Sequence, residues 1–379
     1  MKKVYKIKKH KNIYSSRKNN KNLKKVFLWI FMFFLLFAVG FFGASSLIGL
    51  LTKDLKNPAP DTSSGDLSAA SSLPDSSSSL PEAPKTRGIR FMPADIMADP
   101  EKTDEFIADA KLSGFDTVAV PAKLSGGQLT YSSAVPTAKD ASGTAEIAEI
   151  ADKIRQAGMK PAATVSAFKD SLAPVTNRDA AVKYKPDLRY IWYDGNRSDP
   201  AAKPWLNPAS AEATGYISDI IAELTSFGFA EIILSDVQFP IGQGMNLAWY
   251  TSNDAALDRQ KVLSDFISGL RGQYPAAEFS LQLPLLEALE DKDNAILYGV
   301  NPILLPCDKI YADLTFDGIS DIKTDDEPRP IGNTAADVLD VWQMLNQKSG
   351  KTVIPIVSLD DSEWNALTAK ENPGEIARK

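Results

Sequence analysis

Three aspartates at the ends of apolar runs hold the positions in this chain best suited to acid–base chemistry. Asp95 follows GIRFMPA at 88–94, Asp236 lies in EIILSDV at 231–237, and Asp313 lies in KIYADL at 309–314. Two carboxyl groups suffice for glycoside hydrolysis, about 5–5.5 Å apart in retaining enzymes and about 6.5–9.5 Å apart in inverting ones. The same positions also suit a turn or a helix cap, where Asp is favoured for its local hydrogen bonding.

What is missing narrows the chemistry further. The one histidine is His10 and the one cysteine is Cys307. The chain beyond residue 25 therefore cannot hold a Ser-His-Asp triad, a Cys-His pair or a His-ligated zinc. Cys307 follows the apolar run ILLP and reads as a small buried residue. The glycines near Gly126 and Gly242 lack the flanks of a phosphate-binding loop. Neither a metal nor a cofactor is expected.

These aspartates need elements to position them, and strand and helix signals alternate from residue 88 onward. Candidate strands lie at 88–94, 117–122, 161–168, 231–237, 278–284, 309–314 and 352–359. Candidate helices lie near 101–113, 144–157, 209–227, 256–272 and 334–347. In the last, Ala335, Val338, Leu339, Trp342 and Leu345 share one face, and Thr334 with Asp337 resembles a capping box. The most informative stretch runs from Trp205 to Pro240. Asn207 reads as a helix cap before Pro208, and Ile217, Ile220, Ile221, Leu224 and Phe227 recur at helical spacing before Gly228 stops the helix. The pattern predicts an α/β fold, a TIM (β/α)8-like barrel over residues 87–379, with catalytic residues at the C-terminal ends of its strands. Seven strands are visible. An eighth would be masked within 180–205 or 296–306, or else the barrel is imperfect.

The segment WLNP at 205–208, the helix after it, and GFAEIILSDVQFP at 228–240 resemble the putative glycoside hydrolase domain family, once classed as a domain of unknown function and related to α-amylase-like barrels. TVSAFKD is similar to another of its motifs, with Phe168, Lys169 and Asp170 in place, and RGIRFMP from Arg87 looks like its opening strand. The resemblance covers about residues 87 to 320. It implies a barrel that acts on or binds carbohydrate, set in a bacterial envelope. With Phe239-Pro240 fixing the register, the family's strand-end Asp falls on Ser235, its Tyr on Asp236 and its Arg on Gln238. The Asp of the next strand is replaced by Gln282, an earlier Arg by Thr164, and YADLTFDG stands where the family has a Tyr-Pro-Ser-His-Tyr run. Asp236 cannot simply inherit the lost Asp's role, because one residue along a strand is the opposite face unless a bulge intervenes.

The 169–207 stretch is long for a βα loop and rich in aromatic and charged residues. Tyr190, Trp192 and Tyr193 suggest a surface on which sugar rings stack, although aromatics also pack loops onto a barrel rim. Trp192, Tyr193, Asp194 and Trp205 are the candidate substrate-binding residues here, together with Ser235, Gln238 and Gln282 on the strands.

The N-terminal quarter predicts where such a barrel would work. Residues 1–25 carry eleven Lys or Arg and no acid, and residues 26–52 are uncharged. A span of about 20 helical residues crosses a bilayer, so 26–52 reads as an uncleaved transmembrane anchor at the plasma membrane. The basic flank lies in the cytoplasm and the C-terminal domain outside. Residues 53–86 are rich in Ser, Pro, Ala and Asp and read as a disordered linker. With a whole-chain net charge of −6, residues 26–379 carry −17 once the basic tail is set aside. That argues against a nucleic-acid partner. The expected partner is a cell-envelope polysaccharide, bound by a barrel whose hydrolytic activity is lost. An active hydrolase with relocated acids, and a protein-binding scaffold, are the alternatives.

Overall fold

The computed structural model describes residues 87–284, 294–313, 322–323, 328–329, 343, 345–357 and 375–378. The basic segment 1–25, the anchor expected at 26–52, the linker expected at 53–86 and most of the helix expected at 334–347 lie outside the described residues. Among the described residues no helix is long and apolar enough to cross a membrane.

All seven expected strands are present, as β1 (Arg87–Phe91), β2 (Thr117–Lys123), β3 (Lys160–Ser166), β4 (Glu231–Ser235), β5 (Glu278–Pro284), β6 (Lys309–Asp313) and β7 (Thr352–Val357). They form one parallel, TIM-like sheet. A short eighth strand, β8 (Glu375–Arg378), pairs with both β7 and β1 and closes the order β1-β8-β7-β6-β5-β4-β3-β2. Neither region expected to hide that strand contains it. The 180–205 region forms loop structure with one two-residue ladder and isolated bridges, and Pro302–Leu304 is a single 3-10 turn.

Helices α1 (Pro100–Leu112), α2 (Ile147–Gln156), α3 (Ala211–Ser226) and α4 (Arg259–Gln273) pack outside the sheet. The apolar stripe read from the sequence of α3 is its buried face: Ile217, Ile220, Ile221 and Leu224 are fully covered. Burying each such side chain is worth about 1.5–3 kcal/mol, and this stripe holds α3 in the main core. The N-terminus of α3 differs from expectation. The helix begins three residues beyond Pro208, and Ser210 is its cap, accepting from the Ala213 amide. Asn207 instead makes a turn, accepting from the Ala209 N–H while its amide donates to the Tyr250 carbonyl. At the other end Gly228 has φ +86°, and a side chain there would collide with the Arg155 guanidinium.

A second, smaller cluster fills the barrel interior: Ile89, Phe91, Ala119, Ala162, Ile233, Tyr311, Ile354 and Ile356. Strand alternation extends this inner face to Glu231 and Ser235 on β4, Ser280 and Gln282 on β5, and Asp313 on β6. At the N-terminal end the buried Glu231 carboxylate accepts from Ser280 Oγ (2.6 Å) and Tyr311 Oη (3.0 Å) and faces Lys160 Nζ at 2.9 Å. Lys309 Nζ bridges Glu231 and Glu278, and Lys160 also bonds Glu278. This end of a barrel serves stability.

Candidate functional site

The C-terminal end of the same inner face is where barrel chemistry is done. Ser235 and Gln282 stand there, as the sequence register predicts, and Gln282 Nε2 donates to Asp313 Oδ2 at 3.2 Å. Two of the candidate residues, on adjacent strands, are thus brought into contact. Asp95 is exposed on the 3-10 turn Ala94–Ile96 that follows β1.

Asp236 follows β4 and is the one described non-glycine residue with positive φ, at 52°. Asp tolerates this left-handed conformation better than most residues. The backbone turn, with no bulge in β4, swings the carboxylate onto the inner-face end of β3. There Asp236 Oδ2 accepts from Ser166 Oγ at 2.6 Å. The Asp236 carbonyl accepts from the Phe168 amide and the Ser235 carbonyl from the Ala167 amide, so the β3 and β4 ends are laced together.

Asp236 therefore leans toward β3, while Asp313 is bonded to a side chain of β5. Strands are spaced about 4.8 Å apart, so the backbones of β4 and β6 stand about 10 Å apart with β5 between them. The two carboxyl groups are each engaged by a neighbour. Among the described residues, no group of three or more His, Cys, Asp or Glu side chains could hold a metal ion.

The motif residues around Phe168 shape this end of the barrel. Phe168 is fully buried with its ring 5.0 Å from that of Phe266. Asp170 Oδ1 accepts from the Leu172 and Ala173 amides, and its Oδ2 faces Lys123 Nζ at 2.9 Å. Both side chains of that pair are wholly buried, and Lys123 Nζ also donates to the Ser166 carbonyl at 2.7 Å. Sequence reading ended the second strand at residue 122 and missed Lys123. A register shift between Pro121 and Lys123 turns this lysine into the core, and no pattern in TVAVPAK announces it. Gly127, at φ +105°, passes so close to Asp170 that any side chain would strike the carboxylate. The GGQ sequence is thus a packing feature.

The long loop after β3 folds against the segment after β4. Trp192 is buried, with its indole N–H donating to the Gly244 carbonyl. Trp205 is buried too, and its N–H donates to Asp194 Oδ2, while Asp194 Oδ1 accepts from the Lys203 amide. Gln238 is nearly buried and accepts from the Tyr298 hydroxyl at 2.9 Å. Tyr193 is half-buried and carries the Arg197 guanidinium over its ring, 5.6 Å from the centroid. Tyr184, Tyr190, Trp192, Tyr193 and Arg197 line a concave pocket of about 570 Å³. Tyr190, 47% exposed, is its open aromatic.

The sequence model of a family described as a putative glycosyl hydrolase domain matches residues 90–281. Among solved structures, a hypothetical protein from Ruminiclostridium thermocellum aligns at 18% identity, covering 50% of this chain and 95% of that one, with a TM-score of 0.44. The glycoside hydrolase domain of PelA from Pseudomonas aeruginosa aligns at 14% identity over 78% of this chain and 94% of that one, TM-score 0.40. The galactosidase domain of alpha-galactosidase-sucrose kinase aligns at 12% identity over 78% of this chain and 38% of that one, TM-score 0.45. No curated protein matches the chain. The family match runs from the last two residues of β1 through β2, β3 and β4 to the first half of β5, with the Phe168–Asp170 and Trp205–Pro240 motifs inside it, and the chain belongs to the putative glycosyl hydrolase domain family.

Proposed function

We propose that this is a membrane-tethered, extracytoplasmic barrel of the glycosyl hydrolase type that binds cell-envelope carbohydrate and no longer hydrolyses it. Residues 26–52 anchor it, residues 1–25 lie in the cytoplasm, and residues 53–86 form the stalk that carries the barrel away from the membrane. The observation that carries the reading is the state of the strand ends. In the sequence register Ser235 and Gln282 fall where the family resemblance expects acids, and the two aspartates nearby are tied to neighbours, Asp236 to Ser166 and Asp313 to Gln282. Changing groups that act as a unit in catalysis costs orders of magnitude in rate. The aromatic pocket of the loop after β3 supplies a surface that keeps its use without catalysis.

One observation favours a second reading, an active hydrolase with relocated acids. A non-glycine residue held at positive φ often marks a functional site, and Asp236 is such a residue. The test is co-sedimentation of the full-length chain, in a detergent without a sugar headgroup, with insoluble bacterial and plant polysaccharides. The proposal expects one or more glycans to pull the protein down, and pull-down to weaken in Tyr190→Ala. Failure to co-sediment with any of them rejects it.

A further inference from the structure

The loop pocket is set in a locally basic stretch of an otherwise acidic domain. Residues 26–379 carry −17 overall, yet residues 178–203 hold six basic and four acidic side chains. The acids among them are engaged internally. Arg189 bonds both oxygens of Asp187, at 3.0 and 2.7 Å, and this bonding holds the Asp187 carboxyl below its usual range. Asp194 is taken up by Trp205 and the Lys203 amide, Asp199 accepts from the Ala201 amide, and Lys183 Nζ faces Asp179 at 3.6 Å. No acid lines the pocket, and its one charged lining residue is Arg197. Among the described residues Arg197 makes no ion pair with a carboxylate. Its exposed guanidinium lies over Tyr193, and a planar guanidinium offers a fork of N–H donors suited to a carboxylate.

From this we infer that the pocket takes a carboxylate-bearing sugar, a uronic acid residue of an acidic glycan. Its ring would lie against the exposed Tyr190 and its carboxylate against Arg197. The inference rests on the carbohydrate-binding reading above and deepens it. A guanidinium binds a carboxylate through two parallel N–H···O bonds, which a neutral sugar cannot reproduce. In a protein this acidic, long-range repulsion would disfavour an anionic ligand nearly everywhere else, so recognition must be local and short-ranged.

The test is calorimetric titration of the full-length chain, in a detergent without a sugar headgroup, with a panel of uronic-acid oligosaccharides. Each is paired with its carboxyl-reduced neutral counterpart of the same length. The expected result is at least tenfold tighter binding of an acidic member than of its counterpart. Arg197→Gln should erase that difference, and Tyr190→Ala should weaken both ligands. Equal affinity for acidic and neutral partners would overturn the acidic-sugar assignment and leave carbohydrate binding standing. An acidic preference that survives Arg197→Gln would overturn the assignment of this pocket. Binding of neither, with co-sedimentation of some other polysaccharide retained, would overturn the inference alone. Loss of both would overturn the function proposed above as well.

Discussion

Ser166 and Asp236 stand at the ends of adjacent parallel strands, and the Ser166 hydroxyl donates to Asp236 Oδ2 across 2.6 Å. The bond forms because Asp236 is in the left-handed conformation, at φ 52°. Asp236→Ala should destabilise the protein by about 2–3 kcal/mol, combining the loss of a hydrogen bond to a charged group with a side chain less tolerant of this backbone. Asp236→Asn keeps an acceptor and tolerates the backbone, and should cost less than about 1 kcal/mol. Urea unfolding of the two variants measures the difference.

Lys123 is expected to be worth more to the fold than any exposed pair. Its ammonium is wholly buried against Asp170 at 2.9 Å and holds the Ser166 carbonyl. Lys123→Met leaves the Asp170 charge buried without its cation, and should cost about 3–5 kcal/mol. The surface variant Lys261→Met removes the exposed pair with Asp265 and should leave the unfolding midpoint almost where it was. Unfolding midpoints with unchanged denaturant dependence would establish the contrast.

At the opposite end of the barrel, burial pushes the Glu278 carboxyl up. Bonds and charge from Lys160 and Lys309 outweigh that and set it below its usual 4.5. A carboxyl lowered in the folded state adds stability that is complete above the unfolded value and is lost as pH falls through the folded one. The thermal midpoint should therefore decline as pH drops below about 4.5. In Glu278→Gln the decline over that interval should be shallower, as thermal scans at stepped pH would show.

Cys307 is the chain's one thiol, and it is buried. Burial raises its pKa, with the Lys351 charge acting in the opposite sense, so little thiolate forms near neutral pH. Iodoacetamide at pH 7.5 should leave the native thiol unmodified over a time in which the urea-unfolded chain is fully alkylated. Intact-mass measurement reads the outcome. Rapid native alkylation would contradict the buried placement.

Periodic elements were the legible part of this sequence. The strand at 278–284 has the predicted bounds, and the α3 stripe from Ile217 to Leu224 is buried as its spacing implies. EIAR at 375–378 is too short and too polar to show an alternating pattern, so the strand that closes the barrel went unseen. Asn207-Pro208 looked like a helix start because local chemistry there suits either a cap or a turn, and the contact with Tyr250 that decides it is remote in sequence. The register placing Ser235 and Gln282 at the strand ends was readable. The partners were not: Ser166 reaches Asp236 across 70 residues, and Gln282 reaches Asp313 across 31. The loop aromatics were visible as a group, but only the fold separates Trp192 and Trp205, which are buried, from Tyr190, which opens on the pocket.

The central claim is that the barrel binds glycan without cleaving it. The most direct measurement is reducing-end release by the full-length chain across a panel of bacterial and plant polysaccharides, with Asp236→Asn alongside. The account predicts no release above a protein-free blank from any polysaccharide, including those that bind. Release that disappears in Asp236→Asn would contradict it and make Asp236 a catalytic carboxylate relocated by one residue.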